Sequence, residues 1–289
     1  MGVPAIAVVA QTLPEAWEKA VLAVWDQGLD VKTQYDRPGD PCSKDATVMV
    51  TISEPFAEPR IHKNFPGGPA ELEAYRQEVV SGIHDHWIDP AGGKWTYTYH
   101  ERLYAYCPVE DLRNADSPKP FEKVDQVQYI IDSLSGVTHT RRAQAVTWMP
   151  TADPRTDDPP CLQRIWCRLA EGDAGQLSLC MNAHWRSRDL YKAWFMNVYA
   201  LTDLQRTIAE KISRNIRRPV TVGRYVDISD SLHIYGSDFD RVAVEVEKMR
   251  RTPFTDRAWE STNPIFEAMT AEAKEKLAKD PDWYAKAKG

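Results

Sequence analysis

Residues 162–169 and 176–185 form two alternating apolar runs joined near Gly172 and Gly175. Residues 190–215 follow, with Trp194, Val198, Leu201, Leu204 and Ile208 on one stripe at helical spacing, and residues 219–228 alternate again. A helix of that length between strands cannot bury its stripe alone. It must lie on the face of the sheet those strands build. That block restricts the chain to layered architectures of helix on sheet.

The remaining elements fit such a frame. Trp17, Val21, Val24 and Trp25 give an amphipathic helix over residues 15–26, closed by Gly28. Residues 36–41 read as a turn-rich loop, and Val48, Val50 and Ile52 as a strand. After the break at Pro66-Gly67-Gly68-Pro69, residues 71–86 read as a helix. Residues 95–103 read as extended, 125–134 as a short amphipathic helix, and 143–149 as a strand. Residues 231–235 continue the β pattern, 239–250 and 264–279 read as helices, and the chain from 252 onward is polar and rich in Lys and Glu. Helix and strand alternate without βαβ regularity, which predicts an α+β fold with helices on a mixed sheet. The expected organisation is one domain over residues 1–251 with a polar helical extension over 252–289.

Composition excludes several functions. The net charge of −6 provides no global basic field for nucleic acid, so any anion site must be local. No apolar run is long enough to span a membrane. The apolar N-terminus has no basic region before it, which argues against a signal peptide. Five cysteines with no C-x-x-C pair fit free thiols in a reducing cytoplasm. His84-x-His86 has no third ligand at usable spacing, so no metal is expected.

The chemistry-bearing residues fall in one order. Arg141-Arg142 precede Pro159-Pro160-Cys161, and Arg186-Ser187-Arg188-Asp189, Asn197 and His233-Ile234-Tyr235 follow. A thiolate attacks electrophilic carbon. Arginines bind phosphate, and an Asn amide both donates and accepts at the edge of a base. Taken singly these residues are weak signals, since a cysteine at a strand start is usually a small buried hydrophobe and adjacent arginines usually a solvated rim. A hydrolase built on Cys161 with His184 or His233 leaves the arginines unexplained.

In this order and spacing the residues resemble the thymidylate synthase family over about residues 30–240. Arg142 stands nineteen residues before Cys161. Trp185-Arg186-Ser187-Arg188-Asp189 is similar to the family's Gln-Arg-Ser-x-Asp. Asp230-Ser231-Leu232-His233-Ile234-Tyr235 is similar to its Asp-x-His-x-Tyr, and Asp36-Arg37-Pro38-Gly39 to its Asp-Arg-Thr-Gly. The resemblance implies an α+β homodimer paired through its sheets, with shared sites. Its substrates would be a pyrimidine nucleoside 5′-monophosphate and 5,10-methylenetetrahydrofolate, with no metal and no nucleic acid or membrane partner.

It also implies roles. Cys161 is the nucleophile at C6. Arg37, Arg186 and Ser187 bind the phosphate, with Arg141 and Arg142 donated by the second subunit. Asn197 reads the base, and His233 and Tyr235 hold the sugar. Asp189 contacts the folate side, Tyr99 lines the pocket, and Glu78, ahead of Glu71 and Glu73, manages protons.

The departures from the family lie on the folate side. Leu162 follows the cysteine where the family has His. Lys192-Ala193-Trp194-Phe195-Met196 replaces a flexible glycine segment, His84 stands at an aromatic position near the folate, and no closing tail is recognisable in residues 285–289. These changes favour capture of the C5-methylene by water, hence hydroxymethylation of dUMP. The alternatives are a true thymidylate synthase, a dCMP or CMP hydroxymethylase, and a non-catalytic nucleotide-binding paralogue. Asn197, not Asp, points to uracil, and the retained Ser187 and Arg141-Arg142 to deoxyribose.

Overall fold

The computed structural model describes residues 2–107 and 123–288. Its main sheet runs β1 (Ala5–Ala10), β3 (Ser43–Ile52), β9 (Val220–Ile234), β7 (Leu177–Trp185), β6 (Leu162–Glu171) and β5 (Gln144–Val146). β2 (Leu29–Val31) pairs with β3, and β8 (Arg188–Asp189) with β9. β1–β3, β7–β9 and β8–β9 are parallel and the other pairs antiparallel, so the sheet is mixed as expected.

The long helix α5, Trp194–Ile216, buries Trp194, Phe195, Val198, Leu204 and Ile208. It lies on the sheet with α1, Leu13–Gln27, whose Trp17, Val21 and Val24 are wholly buried. Burying an aliphatic or aromatic side chain of this kind stabilises by roughly 1.5–3 kcal/mol, and this stripe holds α5 against β7 and β9, whose C-terminal ends lead into the candidate site. α5 starts four residues later than expected. Asp189 Oδ1 accepts from the Tyr191 and Lys192 amides, which holds the preceding residues in a turn.

Other boundaries also differ from the sequence reading. The helix expected over 71–86 is α2, Pro69–Ser81. It stops at Gly82, which sits at φ 66° with a Cβ position that would run into the His100 ring. His84 therefore lies in the turn after the helix, and His86 in a short 3₁₀ turn over Asp85–Trp87. Residues 95–103, expected to be extended, contain α3, Tyr99–Tyr104. Thr98 Oγ1 caps it by accepting from the Glu101 amide at 2.9 Å, the Thr-x-x-Glu pattern of a helix start. β1 lies in a stretch read only as apolar. β9 is one continuous strand, with an irregularity in its pairing to β3 between Ala46 and Val48. Two further helices, α4 (Gln126–Gly136) and α6 (Phe239–Arg251), lie close to expectation.

The segment after residue 251 is tied back to the body. It comprises α7 (Phe254–Arg257), β10 (Ala258–Trp259), α8 (Pro264–Lys279) and α9 (Trp283–Lys288). β10 pairs with β4, Ile61–His62, and Phe266, Ala273 and Leu277 of α8 are buried. Arg257 grips the buried Glu18 carboxylate at 2.6 and 2.8 Å, and His62 reaches the same carboxylate at 2.9 Å.

Candidate active site

Cys161 stands one residue before β6, and the turn that presents it is pinned by one side chain. Arg186, just past the end of β7, donates from Nε to the Pro160 carbonyl at 3.1 Å and from Nη2 to the Pro159 carbonyl at 2.6 Å. Its amide donates to the Cys161 carbonyl at 2.9 Å. Prolines supply no N–H, so their carbonyls take these donors and the cysteine backbone is fixed from both sides. Burial pushes the Cys161 thiol up and Asp158 adds to that. Arg186 and Arg188 pull the other way, and the net position lies above the ordinary thiol range. The thiol is thus held protonated until a ligand or base changes its surroundings.

Two cavities flank this turn, and Asp158 borders both. The first, about 590 Å³, is lined by aromatic and charged groups including Tyr75, Glu78, Trp95, Tyr97, Tyr99 and Arg155. The Tyr99 hydroxyl accepts from the Leu162 amide at 3.3 Å, next to Cys161, and its ring packs edge-on to Trp185 at 5.7 Å. Burial raises the Tyr99 hydroxyl well above the usual tyrosine range, so it stays a neutral hydrogen-bonding group.

The second cavity, about 430 Å³, is lined by Cys161, Arg186, Ser187, Arg188, Asp189, His233 and Tyr235, facing Val31–Tyr35 and Asp45. Burial lowers the His233 ring, with Asp45 opposing, and leaves its Nε2 without a hydrogen-bond partner among the described residues. Tyr235, pushed up to about 12 mainly by burial, packs on His233 at 4.5 Å. Asp189, expected on the folate side, lines this cavity, and burial pushes its carboxyl up to about 6.

Asn197 lies on the first full turn of α5. Its Nδ2 donates to the Tyr75 hydroxyl on α2 at 2.6 Å. Glu78, one turn further along α2, lines the first cavity but is paired with His84 Nδ1 at 2.8 Å. His84 itself lines neither cavity. It is 4% exposed and stacks on Trp87 at 3.8 Å. Arg37 is exposed in its loop and lines neither cavity. Arg141 and Arg142 are exposed beside β5 and are absent from both cavities of their own chain.

Sequence reasoning missed three contributors. Tyr75 gives only a core signal, being one apolar position of α2. Asp158 is one acidic residue in a polar loop. Arg188 is buried, pairs with Asp227 and donates to Ser229 Oγ at 3.0 Å, while its Nε and Nη1 have no hydrogen-bond partner among the described residues. Asp227, wholly buried, also accepts from Trp194 and Tyr225, so Arg188 is fixed from below with spare donors beside the cavity. The one visible clue was Asp227, a carboxylate between Val226 and Ile228 in an otherwise apolar strand pattern, which calls for a buried cationic partner.

A cysteine beside an arginine-lined cavity, on a helix-backed mixed sheet, has the parts that a nucleotide-directed enzyme requires. The family model described as thymidylate synthase matches residues 74–273. This chain belongs to the thymidylate synthase family, and that membership makes it a one-carbon transferase. A Methanococcoides burtonii protein named "Putative thymidylate synthase" is 28% identical over 233 residues, covering 81% of this chain and 91% of that protein. A Methanothermobacter thermautotrophicus protein of the same name is 27% identical over 250 residues, covering 82% and 96%. The solved structure of thermostable thymidylate synthase A from Bacillus subtilis matches with a TM-score of 0.57 at 18% identity, covering 82% of this chain and 84% of that one, and it shares the fold.

Proposed function

We propose that this enzyme adds the one-carbon unit of 5,10-methylenetetrahydrofolate to C5 of dUMP and that water completes the product as a hydroxymethyl group. The observation that carries this reading is the Cys161 turn, pinned by Arg186 between one cavity of spare cationic donors and another of aromatic rings. The first cavity suits a flat, partly charged folate, with Tyr97, Tyr99 and Trp95 for the ring system and Lys94 and Arg155 at the rim. The folate supplies a methylene at the oxidation level of formaldehyde.

The protein's part follows from its residues. Arg186, Arg188 and Ser187 hold the phosphate end, joined by Arg37 after loop movement and by Arg141 and Arg142 across a homodimer interface. His233 and Tyr235 hold the sugar hydroxyl. Asn197, with Nδ2 tied to Tyr75, offers Oδ1 and its second N–H to the uracil edge. Cys161 Sγ bonds to C6, which opens the C5–C6 double bond and lets C5 attack the methylene. C5 then loses its proton as the methylene parts from the folate nitrogens and tetrahydrofolate leaves, water adds to the resulting exocyclic methylene, and Sγ departs from C6. Glu78 is the group on the cavity wall suited to proton transfer. The polar rim of Lys94, Thr96, Arg155, Asp157 and Asp158 supports water as the final acceptor.

Reduction to a methyl group is the second reading. Two observations favour it. The C-terminal segment reaches back to the Glu78 partner His84, and the relatives are named for thymidylate synthesis. Incubation of dUMP, dCMP, UMP and CMP with methylenetetrahydrofolate, followed by mass spectrometry and dihydrofolate absorbance, separates the readings. Hydroxymethyl-dUMP without dihydrofolate is expected. Methyl product with equimolar dihydrofolate establishes the second reading, and preference for a cytosine nucleotide overturns the base assignment.

A further inference from the structure

The sequence His84-Asp85-His86-Trp87 has no place in the chemistry above, yet it makes a dense set of contacts. His84 Nδ1 meets Glu78 Oε2 at 2.8 Å, and His84 Nε2 meets the Pro281 carbonyl at 3.0 Å. Asp282 Oδ1 takes the Trp87 indole N–H at 2.7 Å and His86 Nε2 at 2.8 Å. Trp87 stacks on His84 nearly parallel, at 6°, and packs edge-on to Trp95 of the cavity wall at 4.9 Å. The segment just before α9 is therefore clamped to the turn behind Glu78.

The acceptors fix a proton count. A carbonyl only accepts, so His84 Nε2 must carry hydrogen to bond Pro281. A neutral ring then has a bare lone pair on Nδ1, which meets a Glu78 oxygen and repels it if that oxygen is ionised. Both bonds coexist only when one further proton lies between Nδ1 and Oε2, as imidazolium with carboxylate or as imidazole with carboxylic acid. The side chains are 5% and 12% exposed, so water replaces neither bond cheaply.

We propose that Glu78 and His84 form a single proton-holding pair at the folate-side cavity, and that the Pro281–Asp282 clasp positions His84 and keeps the pair loaded. The proposal rests on the reading of that cavity as the site of one-carbon transfer. Glu78 is the group at the cavity, and His84 is a positioning residue acting through it. Without that shared proton one of the two His84 bonds is lost, so loading and clasp closure fail together.

The charged and titratable groups around the pair have the following placements. Asp85 bonds Thr98 and His100, His86 and Asp282 bond each other, and Asp280 bonds Lys286. Tyr97, Tyr99, Lys94, Arg155, Asp157 and Asp158 line the same cavity as Glu78, as does Tyr75 one turn earlier on α2. None of these sits between the two partners.

The test compares the full-length wild type with His84→Gln and Asp282→Asn. In the wild type, the His84 ring, followed by ¹⁵N NMR, should lose its proton at the pH where backbone hydrogen-exchange protection of residues 281–286 falls. In His84→Gln that pH-dependent loss of protection should vanish. Its kcat should fall by about tenfold or more, KM for the nucleotide should change by less than about twofold, and the alkaline limb of the kcat profile should disappear. Asp282→Asn should move the limb and the exchange transition together to lower pH. Ring titration without any change in protection overturns the clasp, and a wild-type alkaline limb in His84→Gln overturns the proton-holding role. If the wild type transfers no one-carbon unit at all, the functional reading falls, while ring and exchange data still decide the clasp.

Discussion

Cys161 combines two opposing demands. Its turn is rigid, held by three hydrogen bonds from Arg186, yet its thiol lies above the ordinary range, chiefly through burial and with Asp158 against it. Removing the Asp158 charge should lower the thiol. Asp158→Asn should therefore shift the pH dependence of Cys161 alkylation by iodoacetamide to lower pH, with faster labelling at neutral pH. An unchanged profile would remove Asp158 from the thiol's environment. Asn197 invites a second change. Tyr75→Phe deletes the acceptor of its 2.6 Å hydrogen bond, which costs about 1 kcal/mol and should raise KM for the nucleotide about fivefold. Most of this site was legible as residue types in order, because Cys, Arg, Asn and His announce their chemistry. Tyr75 and Arg188 were not, because their function comes from what the fold sets opposite them, Asn197 in one case and the Asp227 brace in the other.

Among the elements, the strands and long helices follow the apolar period, and their interiors were readable from it. Their ends were set by local bonds instead. Gly82 stops α2 before the histidines, Thr98 starts α3 in an aromatic stretch, and Asp189 delays α5. The C-terminal helices depend on one buried cluster. Burial pushes the Glu18 carboxyl up, but its bonds to Arg257 and His62 outweigh that and leave it below the usual carboxylate range. A carboxyl lowered in the folded state contributes stability above its unfolded pKa and loses it as pH falls through the folded value. Arg257→Ala leaves Glu18 buried without its main partner and should cost about 3–5 kcal/mol in denaturant unfolding. It should also blunt the acid dependence of stability. A loss under about 1 kcal/mol would mean that the anchor contributes little.

At the scale of the whole molecule, one chain brings Cys161, Arg186, Ser187, His233 and Tyr235 to one cavity and ties Asn197 to Tyr75 of the neighbouring one, but leaves Arg141 and Arg142 exposed at the β5 end of the sheet. The proposed homodimer with shared sites would account for that separation. Mixing inactive Cys161→Ala with inactive Arg142→Glu should then recover part of the activity through hybrid dimers. No recovery despite proven subunit exchange would count against it. The claim on which everything else depends is substitution at C5 through Cys161, common to a methyl and a hydroxymethyl product. Release of tritium from dUMP labelled at C5 measures it directly. The label should pass into water only when methylenetetrahydrofolate and the wild-type cysteine are both present. Retention of the label by the wild type, or equal release by Cys161→Ala, would contradict the account.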